Sequence, residues 1–148
     1  MTHPHPFLLT PAVWLGQGKI KLSLAVEELV FFTRWSIAEA DTEGKIVLIQ
    51  EIQIKGLPEI MHNEFTLSNL SQGEFSIELE NEAVGRVTGK GVINDKVIAW
   101  EFRVEDIGFE GFEIYEKQDD KNYLMRAEYA TNDEFRTLIE GKLWQKVT

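Results

Sequence analysis

The chain has no cysteine, so a disulfide framework, a thiolate metal cage and a cysteine nucleophile are all closed to it. Basic residues are scarce as well: 15 against 25 acidic ones leave a formal net charge of −10, the wrong sign for holding phosphates by counterion release. Nucleic acid and anionic membrane surfaces are therefore not expected as partners. No apolar run approaches the ~18 residues that a membrane span needs. The opening Met1-Thr-His-Pro-His-Pro-Phe-Leu-Leu-Thr10 also lacks the basic region and apolar stretch of a secretion signal, and a cytoplasmic protein is expected. Linkers, charge blocks and solenoid repeats are missing too. What remains is a 148-residue chain, 43% hydrophobic and 27% charged, long enough for one buried core. A flexible N-terminal arm over 1–12 and a single domain over 13–148 are expected.

From Val13 onward the pattern is alternation at period two, interrupted every ten to fifteen residues by Gly, Asn, Asp or Pro. In 97–105, Ile98, Trp100, Phe102 and Val104 share one face, while Ala99, Glu101, Arg103 and Glu105 share the other. Asn94-Asp-Lys96 joins that run to 84–93 as a tight turn would. The breaks delimit ten strands, at about 13–25, 29–40, 45–55, 60–70, 74–80, 84–93, 97–105, 109–118, 123–130 and 135–147. Two of these runs have a helical alternative, from Pro58 to Leu70 and over 133–143, although Gly141 and the β-branched content favour strand.

Ten long strands with local turns must dispose of their unpaired edges, and closing the sheet does so. The predicted fold is all-β, an antiparallel up-and-down β-barrel of about ten strands; a two-sheet sandwich is the alternative. The segment Pro11-Ala-Val-Trp14-Leu-Gly16-Gln-Gly18-Lys-Ile20 resembles the opening strand of calycin barrels, the lipocalins, fatty-acid-binding proteins and nitrobindin-like proteins. The resemblance implies that Trp14 seals one barrel end, with Gly16 and Gly18 allowing close approach or a bend. It stops short of the subgroups. Only Val26-Glu-Glu28 separates the first two strands, which leaves no room for the helical lid of fatty-acid-binding proteins. No histidine stands near the C-terminus, so the haem of nitrobindin-like barrels does not carry over.

Taking the less charged side as interior, the lining is aromatic and aliphatic, as a small apolar ligand requires. It includes Met61 from the fourth run and Phe135 from the last. The candidate ligand-binding residues are Phe31, Trp35, Gln50, Asn63, Trp100, Phe102, Met125 and Tyr129. Arg126 and Tyr129 are three apart, hence on opposite faces, so the inward Arg-x-Tyr carboxylate clamp of fatty-acid-binding proteins is not matched. The ligand implied is small, hydrophobic and uncharged. The run 109–118 is ambiguous: Phe109, Gly111, Glu113 and Tyr115 form one face, Phe112 and Ile114 the other, and Glu113 is a buried acid only if the first set points in.

No catalytic residues, cofactor or metal site are expected. His62 falls on an outer face, and His3 and His5 on a flexible arm offer too few ligands for a metal. Gly85, Gly89 and Gly91 are strand glycines with no helix after them to cradle a phosphate. Two alternatives remain open. One is a lipocalin-like isomerase or lyase using Glu113 or Tyr129 as acid or base. The other is a protein-interaction barrel with a filled core, docking a partner or forming a homodimer through Val30, Phe32, Val47 and Ile49.

Overall fold

The computed structural model describes residues 5–23, 27–131 and 136–147. Ten strands follow one another: β1 (Ala12–Leu22), β2 (Glu28–Ile37), β3 (Ile46–Ile54), β4 (Ile60–Ser71), β5 (Glu74–Asn81), β6 (Gly85–Ile93), β7 (Val97–Val104), β8 (Phe109–Asp119), β9 (Asn122–Ala130) and β10 (Arg136–Gln145). Each pairs antiparallel with its sequence neighbours, and β1 pairs with β10 to close the ring. Closure excludes the sandwich. Residues 60–71 are strand throughout, as is the chain from Arg136 to Gln145, so both helical alternatives fail within the described residues. Asp133, Glu134 and Phe135, on which part of the second alternative rested, lie outside those residues, as does His3.

Turn chemistry sets the register. Asn94 Oδ1 accepts the backbone N–H groups of Lys96 and Val97, each at 2.9 Å, which folds β6 back onto β7. Asp41 Oδ1 does the same for Glu43 and Lys45 ahead of β3. At the β1–β10 ladder the partners Gly18 and Gly141 face each other. A Cβ on Gly18 would sit 2.1 Å from the Glu140 carbonyl oxygen, so this seam closes only because no side chain stands there.

The closed sheet has two openings, one at each end of its strands. At one, where β1 begins and β10 ends, the segment before β1 folds inward. His5, Phe7, Leu8 and Leu9 are all buried, so the described part of the expected arm packs inward and does not hang free; residues 1–4 lie outside the described residues. Phe7 is wholly buried among Trp14, Trp35, Tyr115 and Tyr123, with ring centroids 4.9–5.6 Å away. Hydrophobic burial explains the difference: Phe7-Leu-Leu9 is too short to register as a periodic element, yet it packs over four aromatic rings at this opening. His5 secures the segment. Its Nε2 donates to the Asn94 carbonyl at 2.6 Å and Tyr123 Oη donates to Nδ1 at 2.7 Å.

The other opening lies where β1 ends and β2 begins, and burial falls off toward it. Leu22, Ile52, Val104 and Ile139 are only half-buried. Met61, expected inside, is 46% exposed. Its parity is inward, but it pairs with Ile52 near the end of the β3–β4 ladder, past the enclosed part of the wall. Among the described residues no helix is long and apolar enough to cross a membrane.

Candidate functional site

The half-buried opening leads into a cup of about 230 Å³. Its size sits between two reference points: a ~150 Å³ apolar cavity accepts benzene, and drug-sized sites start near ~300 Å³. Of the eight candidate residues, Phe31, Gln50, Asn63, Met125 and Tyr129 line the cup. Trp35, Trp100 and Phe102 do not line it; they are buried in the barrel's central cluster. Trp35 touches Phe65 and Trp100, and Trp100 stacks on Tyr115 at 5.1 Å. Together with Phe7 and Trp14 these rings fill the half of the barrel beyond the cup, which is therefore blind. The depressions on the outer wall are more open, and one is rimmed by Arg103, Glu110, Glu128 and Arg136.

One wall of the cup is a chain of amides. Asn81 Nδ2 donates to Asn63 Oδ1 and Asn63 Nδ2 to Gln50 Oε1, both at 3.0 Å; Gln50 Nε2 donates to Thr33 Oγ1, and Thr33 Oγ1 to the Glu51 carbonyl at 2.9 Å. The Val84 N–H closes the outer end on Asn81 Oδ1. Strands β2 to β5 supply one member each. Every amide keeps a free lone pair or N–H, so the wall can accept or donate.

The opposite wall carries an acid. The run 109–118 presents Phe109, Gly111, Glu113 and Tyr115 inward, and Glu113 is only 6% exposed. Tyr115 Oη donates to Glu113 Oε1 at 2.5 Å, and Tyr129 Oη donates to Oε2. Burial drives the Glu113 carboxyl above its ordinary range, while the bonds from Tyr115 and Tyr129 act in the opposite direction. Trp100 lies close enough to the carboxyl to favour its anion, but its indole N–H makes no well-formed hydrogen bond. Burial and the adjacent carboxyl push both phenols well above the usual tyrosine range. Tyr129 is held in place from two sides: Phe109 stacks on it at 5.5 Å, and its ring lies against Gly111, where a Cβ would meet it at 2.2 Å. No lysine, arginine or histidine lines the cup among the described residues.

Sequence reading left the face of Phe109, Glu113 and Tyr115 undecided and passed over Asn81. Both faces of 109–118 carry aromatic or aliphatic side chains, so hydropathy alone does not choose between them. A charge count does not choose either, because one face carries Glu113 and Lys117 and the other Glu110 and Glu116. Elsewhere the outward placements hold. The His62 side chain is 62% exposed and stands 3.7 Å from Glu51, and Arg126 is exposed on the face opposite Tyr129. No group of three or more potential metal ligands occurs among the described residues.

No family model and no curated protein matches the chain. Solved structures do: the S-type phycobiliprotein lyase CPES from Guillardia theta superposes with a TM-score of 0.70 at 10% identity, over 94% of this chain and 89% of that one. At that identity the likeness is one of fold.

Proposed function

We propose that this barrel binds and carries a small hydrophobic molecule in its cup, without catalysis, and that it is a calycin-like carrier acting in the cytoplasm. The observation that carries the reading is the blind 230 Å³ cup inside a barrel whose other half is solid. A filled interior, the requirement of the interaction reading, would leave no such space. Phe31, Met125 and the Tyr129 ring supply apolar contact, and Gln50 and Asn63 supply polar contact; Trp35, Trp100 and Phe102 act indirectly, as the packed floor. A ligand of one or two rings burying ~200 Å² of apolar surface gains about 5 kcal/mol before the costs of association. The outer patch has less support as a docking surface. Phe32 and Val47 are exposed, but the charged cross-strand neighbours Arg34 and Glu51 stand between Phe32 and Ile49 and break the apolar continuity.

A second reading, acid–base chemistry of the isomerase or lyase kind, is favoured by one specific feature: a carboxyl with a raised pKa held by two phenols at the cup wall. The fold likeness to a phycobiliprotein lyase is consistent with it. Two measurements test the carrier reading. Native mass spectrometry of freshly purified protein should show a small noncovalent adduct, and naphthalene should shift the NMR signals of Met125 and Phe31 while leaving those of Phe32 in place. Absence of both an adduct and naphthalene-induced shifts would overturn the proposal.

A further inference from the structure

We propose that Glu113 makes the cup selective for ligands whose inner end carries a basic nitrogen, a primary amine or an amidine, attached to a compact apolar body. The inference rests on the carrier reading and names the chemistry of its ligand.

Three observations converge on it. The carboxyl is buried at the cup wall, and no cation among the described residues lines the cup to balance it. Its two oxygens accept one phenol each, from Tyr115 and Tyr129, which leaves a second lone pair on each oxygen for another donor. Neither wall contributes a positive charge, since the facing side is built from Gln50, Asn63 and Asn81.

Each ligand class meets this arrangement differently. A hydrocarbon buries the acid further and gives it nothing. A carboxylate sets a second acid beside the first with no cation between them, an arrangement in which the two cannot both ionise. A basic nitrogen donates N–H groups to the free lone pairs, and the acid–amine pair is neutral overall whether the proton sits on oxygen or on nitrogen. It therefore adds no net charge to an apolar interior, which reconciles a polar ligand end with a hydrophobic cup. With the proton on nitrogen the hydrogen bond so formed is charge-assisted, the stronger class. Burial holds the Glu113 carboxyl above its ordinary range, as expected for an acid lacking a counterion.

The test compares four probes of one shape by calorimetry at neutral pH: 2-naphthylmethylamine, 2-naphthylmethanol, 2-methylnaphthalene and 2-naphthoate. The wild-type protein should bind the amine at least about tenfold more tightly than the hydrocarbon and more tightly than the alcohol, with the carboxylate weakest. In Glu113→Gln the amine's advantage over the hydrocarbon should fall to within about threefold, while hydrocarbon binding persists. Tyr129→Phe frees another lone pair on the acid and should preserve or enlarge the amine's advantage, which keeps the test open should Glu113→Gln not fold. An amine that binds no better than hydrocarbon or alcohol in wild type overturns the inference and spares the carrier reading. So does an advantage that survives in folded Glu113→Gln, or one lost in Tyr129→Phe. Failure of all four probes to bind overturns the carrier reading itself.

Discussion

Replacing Phe7 by alanine probes the inward-folded segment most directly. The side chain is fully buried and packs against four aromatic rings, so its removal leaves a void walled by Trp14, Trp35, Tyr115 and Tyr123 that the barrel cannot collapse to fill. Buried Phe→Ala changes cost about 3–5 kcal/mol, a large part of the ~5–15 kcal/mol that holds a typical domain folded. For a chain of this size that is a fall in Tm of roughly 6–20 °C, or in urea a midpoint lower by about 1.5–2.5 M at m near 2 kcal/mol/M. Phe32→Ala is the control. Phe32 is equally aromatic but 45% exposed on the outer wall, and its loss should cost less than about 1 kcal/mol. Equilibrium urea unfolding followed by tryptophan fluorescence compares the two variants. A Phe7→Ala protein within about 0.5 kcal/mol of Phe32→Ala, at unchanged m, would mean that residues 5–11 hang free and that the cup has no floor beneath its aromatic layer.

Gly18→Ala should destabilise by about 3 kcal/mol or more in the same assay, because the new methyl falls 2.1 Å from a backbone oxygen that cannot move without breaking the closing ladder; a near-neutral result would contradict the observed seam. Gly111→Ala should displace the Tyr129 ring and strip the Glu113 carboxylate of a donor, so its carboxyl midpoint, read by carbon NMR, should rise as it does in Tyr129→Phe. An unmoved midpoint would sever that link. Two buried groups give opposite pH slopes. Glu113 is raised from 4.5 by burial, so the folded state holds its proton longer; its contribution to stability is full below about pH 4.5 and is lost as pH rises through the folded value, a slope that Glu113→Gln should remove. His5 is lowered from 6.5, chiefly by burial and further by Lys117, with the Asn94 bond and Asp95 opposing; its contribution is full above about pH 6.5 and is lost as pH falls through the folded value, and His5→Gln should flatten that limb. Variants whose stability–pH curves parallel wild type would refute both assignments.

The alternation in the chain made most of the barrel legible. Ile98, Trp100 and Phe102 are inside because a period of two admits one answer when one face carries Glu101 and Arg103. Gly16 and Gly18 marked a close approach before any partner strand was known. Legibility ended where periodicity carries no information. Phe7 belongs to no repeating element, so nothing local reveals that it inserts among four rings contributed by strands up to 116 residues away. Glu113 is set in a run with two plausible inner faces, and the deciding contacts, Tyr129 from β9 bonded to its carboxyl and packed on Gly111, are tertiary. Met61 shows the reverse limit: parity assigns a direction correctly but cannot say where the enclosing wall ends. The amide chain from Thr33 to Asn81 was visible only as Gln50 and Asn63, because its continuity depends on register across four strands.

The direct pairing of the first strand with the last has a kinetic consequence. Every other ladder joins strands that are neighbours in sequence and can zip from its own turn. The β1–β10 ladder instead brings residues 18 and 141 together, a loop closure costing about 4 kcal/mol of chain entropy. It is therefore the late event in folding, and its reversal leaves the hairpins on either side intact. Backbone amides of β1 and β10 should accordingly exchange with deuterium sooner than those of β3 to β5, and a small molecule could reach the interior by that lateral slit as well as by the mouth.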